Sequence, residues 1–173
     1  SRIYFQKGNC VTFVVCFFLL LAVLIGSAVT TKPSFDNSVD IIGHRGAGGV
    51  APENTRAAIE QAILAGAQWV EIDVQETADG EVVVIHDSDL MKIAGVDLKV
   101  WDASVEGITS IDIGTSFHPK FHDERVPKLQ EILELCKDKI GIIIELKSYG
   151  HGQMLEQRVI DLVEASGSVD EVQ

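Results

Sequence analysis

The chain has 173 residues, of which 46% are hydrophobic, and it carries a formal net charge of −12 at pH 7. A surface that binds nucleic acid should be basic, so we expect no nucleic-acid partner. The length allows one domain of modest size. The three cysteines, Cys10, Cys16 and Cys136, show neither the spacing of a zinc site nor a disulfide framework.

The first feature along the chain is an apolar segment at residues 10–31, which follows a polar flank at residues 1–9. The segment contains no charged residue, and roughly 20 apolar residues in a helix are enough to cross a bilayer. We therefore predict a transmembrane helix at residues 10–31. The competing interpretation is a cleaved signal peptide, because small residues at 26–28 offer a cleavage site. The chain begins with Ser1 rather than Met, which favours the anchor.

The charges that flank this segment predict its orientation. Arg2 and Lys7 precede the apolar residues, whereas Asp36 and Asp40 follow them. Basic flanks favour the cytoplasmic side of a membrane. We therefore expect a membrane-anchored protein whose remaining residues lie on the extracytoplasmic side.

A linker at residues 32–38 leads into the domain that we predict at residues 39–173. Apolar strands alternate there with amphipathic helices, and this alternation predicts an α/β fold with a parallel sheet covered by helices. The connection between the second and third strands is too short to hold a helix, so it forms either a hairpin or a local turn. The predicted strands lie at 39–42, 69–74, 82–86 and 141–147, and the predicted helices lie after Asn54, at 128–137 and at 154–166. Between residues 88 and 125 the spacing is mixed, and we expect an excursion with small elements of its own.

Titratable side chains end four of the predicted strands. These residues are His44, Asp73, His86 and Glu145, and Glu71 shares a face with Asp73 because side chains alternate along a strand. In barrels and open α/β sheets, ligands and chemistry gather at the carboxyl ends of the strands. The coincidence of four strands predicts a functional site at this edge.

The residue types at this edge indicate the chemistry. Glu71, Asp73 and Glu145 supply hard oxygen ligands, which suit Mg²⁺ or Ca²⁺ better than zinc. The two histidines suit a general acid and a general base, the roles that histidine most often takes in catalysis. Arg45 and Lys147 add positive charge that suits a phosphate. A cation, a phosphate clamp and an acid/base pair together predict hydrolysis of a phosphate ester.

Two acidic positions and one amide near these residues admit more than one interpretation. Glu53 and Asn54 either cap the helix that follows them or also support the site, and Asn54 is a plausible N-cap. Asp87 is expected either to orient His86 or to cap the next element, and a direct role in the site is also open. The sequence leaves these alternatives open.

Five short motifs carry a more specific signal than any of these residues alone. They are His44-Arg45-Gly46, Pro52-Glu53-Asn54-Thr55, Glu71-x-Asp73, His86-Asp87 and Glu145-Leu146-Lys147. In their order and gaps the motifs resemble the glycerophosphodiester phosphodiesterases. The resemblance implies a (β/α)8 TIM barrel, in which the excursion after His86 is the small inserted region of the family.

The resemblance also implies an activity and the residues that perform it. The implied reaction splits a glycerophosphodiester into sn-glycerol 3-phosphate and an alcohol, through a cyclic phosphate that forms when a glycerol hydroxyl attacks phosphorus. By resemblance, Glu71, Asp73 and Glu145 hold the divalent cation, His44 and His86 perform acid/base catalysis, and Arg45 and Lys147 bind the phosphate.

The resemblance extends from Asp40 to about Gly167, whereas a complete barrel takes roughly 250 residues. We therefore expect only about the first half of a TIM barrel, the N-terminal part of the catalytic domain of a longer membrane-anchored protein. Two other functions stay open: a lysophospholipase D-type enzyme acting on a membrane lipid, and a membrane-tethered binding module or inactive remnant. The head group, the preferred cation and the oligomeric state are not predicted.

Overall fold

The structure, a computed structural model, describes residues 39–173. The polar flank at 1–9, the transmembrane helix predicted at 10–31 and the linker at 32–38 lie outside the described residues. Within residues 39–173, no helix combines the length and the apolar character that a bilayer crossing requires.

A sheet of parallel strands lies at the centre of the described residues. These strands are β1 (Ile42–His44), β2 (Trp69–Glu76) and β6 (Gly141–Leu146). Strand β2 lies in the middle and pairs in parallel with β1 on one side and with β6 on the other. Val172 begins to pair in parallel with Ile142 on the far side of β6. The predicted parallel sheet is therefore confirmed for these strands.

Helices cover this sheet, and three shorter strands lie between β2 and β6 in the chain. The first of these strands pairs with β2, and the other two form a separate pair. The helices are α1 (Arg56–Leu64), α2 (Met91–Ala94), α3 (Val105–Thr109), α4 (Leu129–Cys136) and α5 (Leu155–Ser166). The shorter strands are β3 (Val82–Val84), β4 (Asp89–Leu90) and β5 (Val96–Lys99). The alternation of strands and helices that the sequence predicts is thus observed.

Strand β3 runs antiparallel to β2, so the connection between them is a hairpin. Strand β2 continues past Asp73 to Glu76, the chain turns, and β3 runs back beside it. After β3 ends at Val84, the backbone N–H of Ile85 donates to the carbonyl of Asp73 at 2.8 Å. Of the two connections that the sequence left open, the hairpin is therefore the one observed, and His86 lies just beyond the end of β3 instead of ending the strand at 82–86.

The helices bury the apolar stripes that their spacing predicts. In α4 the buried residues are Leu129, Ile132, Leu133 and Cys136. Helix α5 ends at Gly167, whose φ of 70° is the left-handed conformation that glycine adopts readily. The N-cap of α1 is Thr55, which accepts a hydrogen bond from the Ala58 backbone N–H. The prediction of Asn54 as N-cap is wrong by one residue, because Asn54 and Thr55 are both residue types that cap helices.

The excursion at residues 88–125 has small elements of its own, as predicted, and it also contributes to a small apolar core. Its buried apolar residues include Leu90, Val100, Ile108 and Ile113, which pack together with Val83 of β3. Residues 105–109 form helix α3. The excursion therefore packs on the outer side of the hairpin that leads to His86.

Glu76, the last residue of β2, connects this hairpin to the loop that follows β6. It is only 9% exposed, and its carboxylate accepts hydrogen bonds from the backbone N–H groups of Gln153 and Met154 at 2.7 and 3.0 Å. Arg158 Nε donates to it at 2.8 Å. The buried carboxylate of Glu76 thus joins the end of β2 to the loop after β6 and to the first turn of α5.

These contacts predict a specific dependence of stability on pH. Burial raises the pKa of Glu76, but hydrogen bonds from Met154, Gln153 and Arg158 outweigh burial and hold the pKa below its ordinary value of 4.5. A lowered pKa in the folded state contributes stability that is present above about pH 4.5 and is lost as pH falls through the folded-state pKa. We expect Glu76→Gln to lower the free energy of unfolding at pH 7 by about 1–3 kcal/mol. The variant should also lose stability less steeply than the wild type between pH 5 and pH 3, by denaturant titration.

The matched control for this experiment is Glu81→Gln in the same hairpin. Glu81 is largely exposed and pairs with Lys128 at 3.3 Å, so its replacement should change the unfolding free energy by less than about 1 kcal/mol. An acid dependence in Glu76→Gln as steep as that of the wild type would contradict the role given to Glu76.

Candidate active site

Three carboxylates meet at the carboxyl edge of the central sheet. Glu71 and Asp73 lie on one face of β2, while Val70 and Ile72 on the other face are buried in the core. Asp73 is in register with Glu145 on the neighbouring strand β6. Each carboxylate offers one oxygen, and these oxygens all lie within 4.8 Å of one another. The structure therefore brings together the three residues that the sequence predicted as cation ligands.

The state of Asp73 fits a divalent cation at this position. Its side chain is 1% exposed, and within residues 39–173 its Oδ1 atom is buried and has no hydrogen-bond partner. The Lys147 ammonium lies 3.4 Å from Oδ1, and a cation bound to Oδ1 would supply the direct contact that this buried acceptor lacks. All the donors are carboxylate oxygens, the ligands that Mg²⁺ and Ca²⁺ prefer.

Lys147 lies directly beside these carboxylates. Its ammonium group donates a hydrogen bond to Glu145 and lies 3.4 Å from Asp73 Oδ1. The hydrogen bond from Lys147 lowers the pKa of Glu145, and the same bond raises the pKa of Lys147. Both groups are therefore charged at neutral pH, and a cationic side chain lies at the mouth of the acidic cluster.

Arg45 is held at the same edge by the turn that follows β1. Its backbone N–H donates to Glu71 Oε2 at 2.9 Å, its Nη1 donates to Glu53 at 3.0 Å, and its Nε lies 3.5 Å from Asp73 Oδ2. The next residue, Gly46, has a φ of 77°, and a Cβ atom there would lie 2.8 Å from Ala58 of α1. The tight turn therefore requires glycine after Arg45 and directs the guanidinium group toward the carboxylates.

The two histidines differ in how firmly they are held. The His44 side chain is 76% exposed, and its Nε2 lies 3.9 Å from Glu71 Oε2. The His86 side chain is 25% exposed, and its Nδ1 lies 2.7 Å from Asp87 Oδ1. Asp87 thus contacts His86 as expected. Because Asp87 occupies Nδ1, the second ring nitrogen of His86 is left for proton transfer.

Two residues that support His86 were missed in the sequence. The Gln75 side chain is buried, and its Nε2 lies 2.9, 3.0 and 2.8 Å from the carbonyl oxygens of Ile85, His86 and Asp87. The Tyr149 hydroxyl donates to the His86 carbonyl at 2.8 Å. The sequence did contain a signal for Gln75: it is a polar residue in a strand that is otherwise buried. A buried amide needs hydrogen-bond partners, so its side chain must bind other groups in the fold.

The structure also decides between the two interpretations of Glu53 and Asn54. Glu53 accepts hydrogen bonds from Arg45 and from Lys92 of the excursion. Asn54 is 2% exposed and makes hydrogen bonds to both the backbone and the carboxylate of Asp73. Neither side chain caps α1, because Thr55 does. Both residues therefore support the site.

Seven side chains with complementary chemistry meet at one edge of the sheet. The acidic cluster can hold a cation, two basic side chains lie beside it, and two histidines flank it; these residues are Glu71, Asp73, Glu145, Arg45, Lys147, His44 and His86. An α/β fold with such an edge defines a candidate metal-dependent phosphoryl-transfer site.

Comparison with known proteins assigns the family. The sequence profile of the glycerophosphoryl diester phosphodiesterase family matches residues 44–170, and the chain belongs to this family. A glycerophosphodiester phosphodiesterase of Caldanaerobacter subterraneus subsp. tengcongensis is 43% identical over 109 residues, which are 62% of this chain and 45% of that protein.

Solved structures show the same relationship. A glycerophosphodiester phosphodiesterase from Agrobacterium tumefaciens superposes with a TM-score of 0.72 at 36% identity, over 78% of this chain and 56% of that one. A phosphodiesterase from Oleispira antarctica, in complex with the product sn-glycerol-3-phosphate, gives a TM-score of 0.70 at 30% identity, over 73% and 52% of the two chains. This chain spans about half the length of the relatives it matches.

Proposed function

We propose that this protein hydrolyses glycerophosphodiesters to sn-glycerol 3-phosphate and an alcohol, in a reaction that depends on a divalent cation. The observation that carries the proposal is the joint placement of the acidic cluster, Arg45, Lys147 and the two histidines at one edge of the sheet. The product bound to the Oleispira antarctica relative, sn-glycerol-3-phosphate, is the product proposed for this chain.

The acidic cluster is the proposed site of the cation, Mg²⁺ or Ca²⁺. Glu71, Asp73 and Glu145 are the residues that would hold it. A divalent cation bound there supplies positive charge that stabilises the phosphoryl oxygens as negative charge develops on them.

Arg45 and Lys147 are proposed to bind the substrate phosphate. The structure supports this role because each basic group lies within 3.5 Å of Asp73, on the border of the acidic cluster. Glu53 holds the Arg45 guanidinium and Glu145 holds the Lys147 ammonium, so both cations are oriented before substrate arrives. A fixed orientation reduces the ordering that binding requires.

The two histidines are proposed to transfer protons. One of them takes the proton of a glycerol hydroxyl as its oxygen attacks phosphorus, and the other protonates the oxygen of the departing alcohol. The resulting cyclic phosphate is opened by water, with the proton transfers reversed, and yields sn-glycerol 3-phosphate. Asp87 supports this role for His86, because a carboxylate on Nδ1 orients the ring and stabilises its protonated form.

The architecture and location of the protein are part of the same proposal. We propose that β1, β2 and β6 belong to a (β/α)8 barrel of which this chain carries about the first half. Residues 10–31 are proposed to anchor the protein in a membrane with the catalytic domain on the extracytoplasmic side. The apolar composition of residues 10–31 and the basic residues before them support this location.

The proposal is tested by the products that the full-length protein forms from two substrates. Glycerophosphocholine and lysophosphatidylcholine are incubated separately with the protein, and phosphorus NMR identifies the products. We expect sn-glycerol 3-phosphate from glycerophosphocholine. Activity on the lysolipid alone would show the lysophospholipase D-type enzyme instead. If neither substrate is cleaved, the protein is a binding module or an inactive remnant.

A further inference from the structure

Asn54 is buried and makes two hydrogen bonds to Asp73, one of the three residues of the acidic cluster. We propose that Asn54 is a positioning residue: its buried carboxamide fixes the orientation of Asp73 and thereby raises the affinity of the acidic cluster for a divalent cation. The inference rests on the proposed function, since it concerns the cation site of that function.

The contacts between Asn54 and Asp73 hold the aspartate at two points. Asn54 Nδ2 donates to the carboxylate oxygen Oδ2 of Asp73 at 2.9 Å, and Asn54 Oδ1 accepts the Asp73 backbone N–H at 3.2 Å. The two contacts require a donor on one side of the carboxamide and an acceptor on the other, so they also determine which way the amide is oriented. A contact to the backbone and a contact to the carboxylate together restrict the side-chain torsions of Asp73.

This restriction determines which oxygen of Asp73 is free. Oδ2 is occupied by Asn54 and faces the Arg45 guanidinium at 3.5 Å. Oδ1 is the oxygen that lacks a hydrogen-bond partner within residues 39–173, and it lies beside Lys147. Asn54 therefore leaves Oδ1 open to a cation, on the side where the Lys147 ammonium contacts both Asp73 and Glu145. Groups that orient a metal ligand in this way raise its affinity for the metal.

The backbone conformation of Asn54 also favours asparagine over most other residues. Its φ is 59°, in the left-handed region, and its backbone N–H donates to the Arg45 carbonyl at 3.0 Å. Asparagine adopts this conformation more readily than most residues. The strand that carries Asp73 and the turn that carries Arg45 are thus both connected to Asn54, the strand through the side-chain carboxamide and the turn through the backbone N–H.

The test compares two variants that lack the carboxamide but differ in backbone strain. Asn54→Gly keeps the left-handed backbone without strain, whereas Asn54→Ala makes it unfavourable. Mn²⁺ serves as the probe, and its binding to the full-length protein is followed by electron paramagnetic resonance in the absence of substrate. We expect both variants to bind Mn²⁺ more weakly than the wild type by the same factor, roughly 10- to 100-fold. Thermal unfolding should show a larger loss of stability for Asn54→Ala than for Asn54→Gly.

The control variant is Asp138→Gly. Asp138 also has a φ of 59°, but it precedes β6 at the opposite end of the sheet from the acidic cluster. Its replacement should leave Mn²⁺ affinity unchanged. An Asn54→Gly protein that binds Mn²⁺ like the wild type, that fails to fold, or whose affinity loss follows its loss of stability overturns the inference. Failure of the wild type to bind Mn²⁺ overturns the proposed cation site itself, and with it the inference.

Discussion

His86→Ala should lower kcat for glycerophosphocholine by roughly 10²- to 10⁴-fold, the loss typical of removing a general acid or base. The His86 ring is held by Asp87 and its backbone carbonyl by Tyr149 and Gln75, so the side chain is fixed beside the cluster without being part of it. Its removal should leave cation binding and KM nearly unchanged. Steady-state kinetics at saturating Mg²⁺ or Ca²⁺ measures the two parameters separately. His44→Ala should produce a loss in the same range.

The chain offers a closely matched control for the His86 experiment. His122 and Asp123 form another adjacent histidine–aspartate pair, with His122 Nε2 3.1 Å from Asp123, on the exposed surface of the excursion. His122→Ala should leave kcat within a factor of about two, since surface changes away from a site have small effects. If His86→Ala keeps most of the wild-type activity, acid/base catalysis by this histidine is refuted.

Chelation of divalent cations should abolish activity and lower the melting temperature. A ligand that binds only the folded protein, at a concentration 100 times its Kd, stabilises the fold by about 2.7 kcal/mol. We therefore expect EDTA to reduce hydrolysis to background, and expect Mg²⁺ or Ca²⁺ to restore both hydrolysis and melting temperature. Glu145→Gln should require a higher cation concentration for both effects, because one of the carboxylates has lost its charge. Scanning fluorimetry and a product assay over a cation titration measure these quantities.

Glu134→Gln serves as the control in this titration. Glu134 lies on the exposed side of α4, and among the described residues 39–173 its carboxylate accepts a hydrogen bond from Gln130 at 3.0 Å and forms no ion pair. The variant should show the cation dependence of the wild type. Full activity of the wild type in excess EDTA, with the melting temperature unchanged by added cation, would mean that the acidic cluster is not a cation site.

The residues at the carboxyl edge of the sheet could be predicted from two features of the sequence: the alternation of side chains along each strand and the alternation of strands with helices. Alternation along Trp69–Glu76 places Glu71 and Asp73 on one face, and the parallel pairing that alternating helices predict brings Glu145 beside Asp73. Both inferences use only local periodicity and a general property of α/β sheets. The structure confirms the placement of these acids for that reason.

The supporting contacts were not predictable, because they join residues distant in sequence. Asn54 reaches Asp73 across 19 positions, and Tyr149 reaches His86 across 63. A hydrophobic pattern does not encode which polar groups meet inside a fold. The sequence also left open whether β2 and β3 form a hairpin. A short connection excludes a helix between two strands, but it does not show that the two strands pair with each other.

Strand β2 carries Glu71, Asp73 and Gln75 on one face, and this common face makes the strand intolerant of a change in length. Inserting one residue between Trp69 and Glu71 would rotate every following side chain to the opposite face of the sheet. The acids would enter the apolar core, and Ile72 and Val74 would take their place at the candidate active site. Variation in length within this family should therefore be tolerated in the excursion after His86, while the distance from the start of β2 to Asp73 stays constant among active members.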